Sequence, residues 1–441
     1  MQRSVMSGLE DRLAEVTAAA SRQFETAEEL ETALRSLYQL INEIDPAELD
    51  RTAVAQAAPQ LLHALFKARM RLRDRIPAWQ VQGIFSHTAQ GALRDVFRIA
   101  RYCEDMLGEI ASGNERLEKG QNTRRAFTGR SWNTLVHPAF DTGENIPFRS
   151  GDLLLMRGSA HNSAAIARIG DNDSQFSHIA IVYIDDEGQH WVVEALIEDG
   201  SVINPLEHVL DHNVGRMVLY RHPNPALAAK AAKLAYERVR ASRTGFASQI
   251  PYDFTMRLTG RRKLFCAKLV AQAYADATDG GLQLPAFKTR FDFRNNKEFL
   301  QAIGVRAKES FAPGDIDLDT RFDLIAEWRD YRVTPVLRRQ DMIMTKFFEW
   351  MERRGYRFEE TMTVRLISVF GRLSSYLSSG AKNLLARVFP KVPRNMSRSC
   401  VATIVMLHKS AEDVMPALVA LDEDHVRMTG LPLHPREMLD H

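Results

Sequence analysis

The sequence reads QFSHIAIVY at positions 175–183, and this stretch decides the fold. Its β-branched and apolar residues are typical of a strand, with His178 near the start. A second stretch, KLFCAKLV at 263–270, places Cys266 where a helix is predicted to begin. A histidine on a strand and a thiol at a helix N-terminus are the two halves of a cysteine-nucleophile site. The pair predicts an enzyme.

A third group is predicted to orient the histidine. A catalytic imidazole needs a hydrogen-bond partner that fixes its tautomer. Glu194 interrupts the apolar run 191–197, and alternation places it on the opposite face from Val193 and Ala195. An acid inside an apolar strand needs a partner, which His178 on a neighbouring strand would supply.

The surroundings of Cys266 are predicted to favour its thiolate. A free thiol has a pKa of roughly 8.5 and needs help to ionise at neutral pH. The dipole of a helix that begins at Cys266 favours negative charge, and the basic run 261–263 lies just upstream. Lys268 is expected to act in the same direction. The backbone N–H groups at the helix start would stabilise an oxyanion.

The spacing of apolar residues changes twice along the chain around these residues. Residues 8–120 show the spacing of amphipathic helices, and residues 120–148 lose it. Short strands then alternate with turns, followed by helices at 226–242 and 266–277. Beyond 319 the apolar spacing again predicts helices, at 322–331, 342–353 and 364–389. The predicted fold class is therefore α+β, with a helical domain and linker at 1–145, the site at 146–300 and a helical domain at 301–441.

Composition excludes several classes of protein. At 441 residues the chain is too long for one ordinary core. Its 45% hydrophobic and 26% charged residues indicate a soluble globular protein, and its net charge of +2 gives no sign of nucleic-acid binding. Three dispersed cysteines argue against disulfides and for a reducing compartment, with Cys103 predicted to be a core residue.

The sequence predicts a cytoplasmic location, with peripheral membrane contact left open. The acidic residues among the first 16 positions do not fit a signal peptide. No apolar stretch reaches the roughly 18–20 residues that cross a bilayer. Between 361 and 410 there is no acidic residue, whereas basic and apolar residues alternate in blocks. This composition suits a helix on an anionic membrane, and equally a bundle whose acidic partners come from the N-terminal helices.

Neither a metal nor a cofactor is predicted. His208 and His212 have the spacing of a helical zinc pair, but Val209 replaces the glutamate of the metalloprotease motif and no third ligand is indicated. No phosphate-binding glycine loop is present.

Three acids near position 317 resemble the start of a calcium loop. Asp315, Asp317 and Asp319 have its spacing, but Thr320 and Ala326 replace its glycine and its closing glutamate. The segment is therefore predicted to be a solvated turn.

Four motifs together resemble a known family. They are GDLL at 151–154, FSHIAIV at 176–182, VEA at 193–195 and FCAKLV at 265–270. This combination resembles the circularly permuted papain-like cysteine hydrolases, the NlpC-related amidases of the YiiX type, to which lecithin:retinol acyltransferase is related. The resemblance covers about 146–300. It implies a permuted papain-like core in which His178, Glu194 and Cys266 are catalytic.

The same resemblance implies the remaining functional expectations. Tyr252 and Asp152 are expected to contact a small-molecule, lipid or peptide substrate with an amide or ester bond. Ala267 and Lys268 depart from the Cys-Ser-Glu-Leu-Val of the family, which we interpret as altered specificity. Lipid acyl transfer, phospholipase-like cleavage and a non-catalytic binding scaffold remain alternatives. The missing signal peptide and the 361–410 region favour an acylated or lipid-like substrate.

Overall fold

The computed structural model describes residues 14–18, 21–43, 51–112, 133–211, 214–242, 250–291, 297–356 and 395–440. The helices are α1 Ala27–Asn42, α2 Arg51–Asp74, α3 Ile76–Val81, α4 His87–Ser112, α5 His161–Ile166, α6 Leu206–Asp211, α7 Pro225–Ser242, α8 Cys266–Ala277, α9 Lys297–Ile303, α10 Thr334–Arg354, α11 Arg398–Thr429 and α12 Pro435–Asp440. The strands are β1 Thr134–Val136, β2 Leu153–Gly158, β3 His178–Ile184, β4 His190–Leu196, β5 Gly200–Pro205, β6 Val214–Arg221, β7 Thr289–Arg290, β8 Glu309–Ser310 and β9 Asp323–Arg329.

A seven-stranded antiparallel sheet organises the described chain. Its order is β1-β9-β6-β2-β3-β4-β5, and β7 and β8 form a separate ribbon. The three strands after residue 177 form a meander, because β3 pairs with β4 and β4 with β5. Helices α7 and α8 cover one face of this meander. The predicted α+β fold class is confirmed.

Side-chain alternation divides the sheet into two cores. Ile179, Ile181 and Val193 pack with the residues of α7 and α8, whereas Ala180 and Val192 pack on the opposite face. A strand with apolar residues on both faces lacks the polar alternation of a half-exposed strand. The continuous run after His178 is therefore explained by burial on both sides.

The N-terminal helices form a core of their own and also contact the sheet. Helix α1 carries buried residues at helical spacing, and α4 buries a stripe that begins at Ala89. Trp79 of α3 is completely buried in this core. Phe66 and Met70 of α2 instead pack into the core on the α8 face of the sheet.

Two sequence predictions are wrong. The segment around Ile325 and Trp328, predicted to be helical, is strand β9, which pairs with both β1 and β6. The acids at 315, 317 and 319, predicted to lie in a solvated turn, are buried in and beside the 3-10 helix Pro313–Leu318. Asp315 pairs with Arg94 at 2.8 Å and Asp317 with Arg101 at 2.7 Å.

Helices 226–242 and 266–277 form as predicted, and α10 contains the predicted helix 342–353. The predicted helix 364–389 lies outside the described residues. Strands β1 and β9 lie outside the expected site domain at 146–300, and the division into three domains stays a prediction. Among the described helices, none combines the length and the hydropathy that crossing a membrane requires.

Candidate active site

Three elements bring the predicted catalytic residues together. His178 is the first residue of β3, Glu194 lies within β4, and Cys266 is the first residue of α8. His178 Nε2 lies 2.7 Å from Glu194 Oε2. The two strands are neighbours in the sheet, so the histidine and the glutamate meet across adjacent strands.

A further residue holds the glutamate in place. Asn204 of β5 donates a hydrogen bond from Nδ2 to Glu194 Oε1 at 2.8 Å. Each carboxylate oxygen of Glu194 therefore has its own partner, so the carboxylate cannot rotate without losing a hydrogen bond. No role was predicted for Asn204 from the sequence. The sequence signal that could have identified it is a polar side chain on β5, the strand that follows the strand of Glu194.

The site strongly favours the charged form of the histidine. Burial opposes the charge, but hydrogen bonds with Cys266 and Glu194, together with their negative charges, raise the pKa of His178 from 6.5 to about 10. An imidazolium between a thiol and a carboxylate stabilises the thiolate as an ion pair.

The nucleophile is buried and begins its helix. Cys266 is 5% exposed and packs in the core shared by the sheet and α8. Phe265, which precedes the helix in an extended conformation, makes no side-chain hydrogen bond to the first turn. Backbone N–H groups at such a helix start are suited to stabilise an oxyanion.

Lys268 has a different role from the one expected. Its Nζ lies 2.7 Å from Asp253 Oδ2 and donates a hydrogen bond to the backbone oxygen of Thr259. Both side chains of this ion pair are buried. Because Asp253 compensates the charge, Lys268 contributes little to the stabilisation of a thiolate at Cys266. Upstream, Arg261 is similarly paired with Asp276.

Tyr252 lies close to the nucleophile. It forms a β-bridge with Leu264, two residues before Cys266. Burial, with the negative charge of Cys266 in addition, raises the pKa of Tyr252 well above 10, so its hydroxyl stays protonated. The backbone oxygen of Tyr252 accepts a hydrogen bond from Asn395 Nδ2 at 2.7 Å. The segment that leads into α11 therefore contacts the site.

Asp152 is not brought to this site. It is buried beside Arg221, with 2.7 Å between Oδ2 and Nη2, and it also accepts a hydrogen bond from the Arg149 N–H. In the sheet, Met156 of β2 pairs with His178. Asp152 lies four residues before Met156 in the chain. Four extended residues span about 13 Å. The side chain of Asp152 therefore holds the start of β2, and its contact with a substrate stays a prediction.

The other residues singled out from the sequence lie elsewhere. Cys103 is partly exposed on α4 and packs beside the N-terminal core. His208 lies on α6, whereas His212 falls outside the described residues.

Comparison with models of protein families agrees with the family that the motifs resemble. Residues 148–316 match the model of the permuted papain-like amidase enzymes, the YaeF/YiiX C92 family. Among curated proteins, none matches the chain. A solved structure of the metalloprotein YiiX from Escherichia coli O157:H7 is 17% identical and covers 41% of this chain and 98% of its own, with a TM-score of 0.32. The resemblance to the permuted papain-like amidase family, to which YaeF and YiiX belong, is thus confirmed over residues 148–316.

Proposed function

We propose that the protein is a cysteine hydrolase that cleaves an amide or ester bond through an acyl-thioester on Cys266. The observation that carries the proposal is the 2.7 Å contact of His178 with Glu194, together with the effect of Cys266 in raising the pKa of His178. Nucleophile, base and orienting group in this relation are typical of enzymes that form a covalent acyl intermediate.

The proposed steps use Cys266, the start of α8 and His178 in turn. Cys266 Sγ, as the thiolate, attacks the substrate carbonyl, and a C–S bond forms while the carbonyl oxygen becomes an oxyanion. N–H groups at the start of α8 stabilise that oxyanion. The imidazolium of His178 gives its proton to the leaving amine or alcohol as the C–N or C–O bond breaks. Neutral His178 then takes a proton from water, which attacks the thioester and releases the acid and the thiolate.

Glu194 holds His178 throughout, and Asn204 holds Glu194. Neither residue needs to exchange a proton with the substrate. Their contribution is to keep the imidazole in one tautomer and one orientation, and to stabilise its charge.

An apolar cavity beside Tyr252 supports an acylated substrate. The cavity has a volume of about 60 Å³ and is lined almost wholly by apolar side chains, among them Ile197, Phe254, Ile303 and Ile404. Since Tyr252 borders both this cavity and the region of Cys266, an acyl chain in the cavity would bring its carbonyl towards the thiol.

Covalent labelling tests the proposal. A thiol-reactive acyl probe at neutral pH should modify Cys266, and His178→Ala should abolish the modification. Cys103 and Cys400 serve as internal controls, since burial raises the pKa of both thiols to about 12. Equal labelling of all three cysteines would favour the binding scaffold. Product analysis with and without an added amine or alcohol then separates hydrolysis from acyl transfer.

Membrane contact through 361–410 remains a proposal, because residues 357–394 lie outside the described residues. Replacement of Arg365, Arg372, Lys382 and Arg387 by glutamine in the full chain should weaken flotation with anionic liposomes, and added salt should do the same. Equal flotation of both proteins, or none with either, would remove this reason to prefer a lipid substrate. Truncation near Arg338 is unsuitable, since it removes the buried partner of Arg157, Asp341.

A further inference from the structure

Outside the candidate active site, three metal-ligand side chains converge between α5 and α11. His161 is the first residue of α5, and His408 and Glu412 lie one turn apart on α11. His161 Nε2 is 3.0 Å from Glu412 Oε1, and the two imidazole rings are 5.3 Å apart between centroids. One ligand atom from each residue can be chosen so that all three lie within 4.8 Å of one another.

These distances suit a small divalent metal ion. In a tetrahedral site with metal–ligand bonds of about 2.1 Å, ligand atoms lie roughly 3.4 Å apart. The pair of His161 and Glu412 is already near that separation. Glu412 has a side chain that is 58% exposed, and His408 is half-buried, so both side chains can move to close the remaining distance. His161 is buried and provides a fixed ligand.

The charges also suit a cation. Glu412 supplies one negative charge, and the two imidazoles supply neutral nitrogen donors. The nearby guanidinium of Arg157 is paired with Asp341, whose Oδ1 lies 2.8 Å from it and is shared with Arg168. Two nitrogen donors and one oxygen donor favour zinc and neighbouring transition metals over calcium or magnesium, which prefer oxygen ligands.

We propose that His161, His408 and Glu412 bind a divalent transition-metal ion, with zinc as the best fit, and that the ion joins α11 to α5. The match to the amidase family ends at residue 316, so His408 and Glu412 come from the part of the chain that the family does not cover. Three protein ligands leave one tetrahedral position to water.

The ion would fix a wall of the apolar cavity. Asn162 and Ile166 of α5 line that cavity, as do Ile404 and Leu407 of α11. His161 directly precedes the lining residue Asn162, and His408 directly follows the lining residue Leu407, so a metal that holds α5 against α11 also holds the cavity walls together. The site itself depends on neither the proposed reaction nor the proposed substrate.

Metal titration of the full chain tests the site. Chelator-treated Cys266→Ala protein is titrated with zinc chloride in competition with a chromophoric chelator, because the variant removes a competing thiolate ligand. The expected result is one ion per chain. His408→Ala should weaken binding at least about tenfold, since outer-shell changes alone cost 10–100-fold. Zinc should also raise the melting temperature of the parent protein but not of the His408→Ala variant.

A histidine on the same helix provides the matched control. His425→Ala should bind zinc like the parent, because His425 lies more than four turns beyond His408. Circular dichroism of each variant without metal establishes that it is folded, and Glu412→Gln provides a second ligand variant with an exposed side chain. Absence of zinc binding by the parent, or equal binding by the His408→Ala and His425→Ala variants, would overturn the proposal. Acyl labelling of Cys266 in the wild-type chain reports the proposed reaction separately.

Discussion

At the scale of single residues, the protonation state of His178 controls the chemistry proposed for the site. Burial disfavours its charge, and the partners on either side reverse that effect, so the pKa rises to about 10. The imidazolium is the form that stabilises the thiolate and later protonates the leaving group. Loss of this proton on the alkaline side should therefore end activity.

The first prediction concerns pH dependence. In the wild-type enzyme, the alkaline limb of the rate profile should lie well above pH 6.5, near the pKa of His178. Glu194→Gln removes a negative charge that favours the imidazolium, so this limb should move to lower pH by about 1–3 units. The measurement is acyl-enzyme formation from pH 5 to 11 with a chromogenic ester. An unmoved limb in the Glu194→Gln variant would show that Glu194 does not control the imidazole.

The second prediction concerns Asn204 as a positioning residue. Asn204→Ala leaves one oxygen of Glu194 without its hydrogen bond, so the carboxylate can rotate away from His178. The rate should fall about tenfold, while KM changes little, because no substrate contact is lost. The alkaline limb should also move towards lower pH. Asn204→Asp is the comparison, since it keeps the shape but places a second carboxylate beside Glu194. A change in KM alone would contradict the positioning role.

At the scale of elements, the ion pair of Lys268 and Asp253 holds the segment before α8 against the helix. Asp253 follows Tyr252, so this contact helps to fix the tyrosine beside Cys266. Burial disfavours ionisation of Asp253, but hydrogen bonds with Lys268 and Thr255 outweigh it and lower its pKa below 3.8. A buried pair of this kind costs stability when one partner is removed.

The third prediction separates packing from activation. Lys268→Met leaves Asp253 buried without its cation, so unfolding free energy should fall by about 3–5 kcal/mol. The rate of Cys266 alkylation at neutral pH should change far less than in His178→Ala, because Asp253 already compensates the lysine charge. Denaturant unfolding and iodoacetamide kinetics measure the two effects. An alkylation rate as low as that of His178→Ala would mean that Lys268 activates the thiol directly.

At the scale of the whole molecule, buried arginines join the helices to the sheet. Arg69 of α2 lies 3.0 Å from Glu104 of α4 and 2.6 Å from Glu327 of β9. Burial opposes the charge of Glu327, but Arg101, Arg69 and Arg329 outweigh it and hold its pKa well below 4.5. Since all these side chains are buried, each charge depends on partners from a distant part of the chain.

The fourth prediction compares a buried pair with an exposed one. Arg69→Met removes one of the buried cations that compensate Glu104 and Glu327, and it should lower the unfolding free energy by about 3–5 kcal/mol. Arg35→Met breaks a pair in which the arginine side chain is 62% exposed, and should cost less than about 1 kcal/mol. Urea denaturation measures both variants. Equal costs would mean that the buried network contributes no more than surface ion pairs.

The sequence by itself determined the local parts of the site. Continuous apolar residues after His178 predicted β3, and the stretch 263–270 predicted that α8 begins at Cys266, because periodicity and helix-start signals act over a few residues. Alternation along the strand predicted that Glu194 lies on the opposite face from Val193 and Ala195, which are core residues. The resemblance of the four motifs then predicted the family that residues 148–316 match.

Only the tertiary structure decided which distant residues meet. The apolar spacing of Ile325 and Trp328 suited a helix, but pairing with β1 and β6 made the segment a strand buried on both faces. Acids that resembled a solvated turn are buried because arginines of α4, more than 200 residues away, compensate their charge. The charge of Lys268 is likewise compensated by Asp253. Asn204 of β5 binds Glu194 of the adjacent strand β4. Local patterns carry no information about such partners, since the free energy that selects them comes from desolvation and pairing in the folded core.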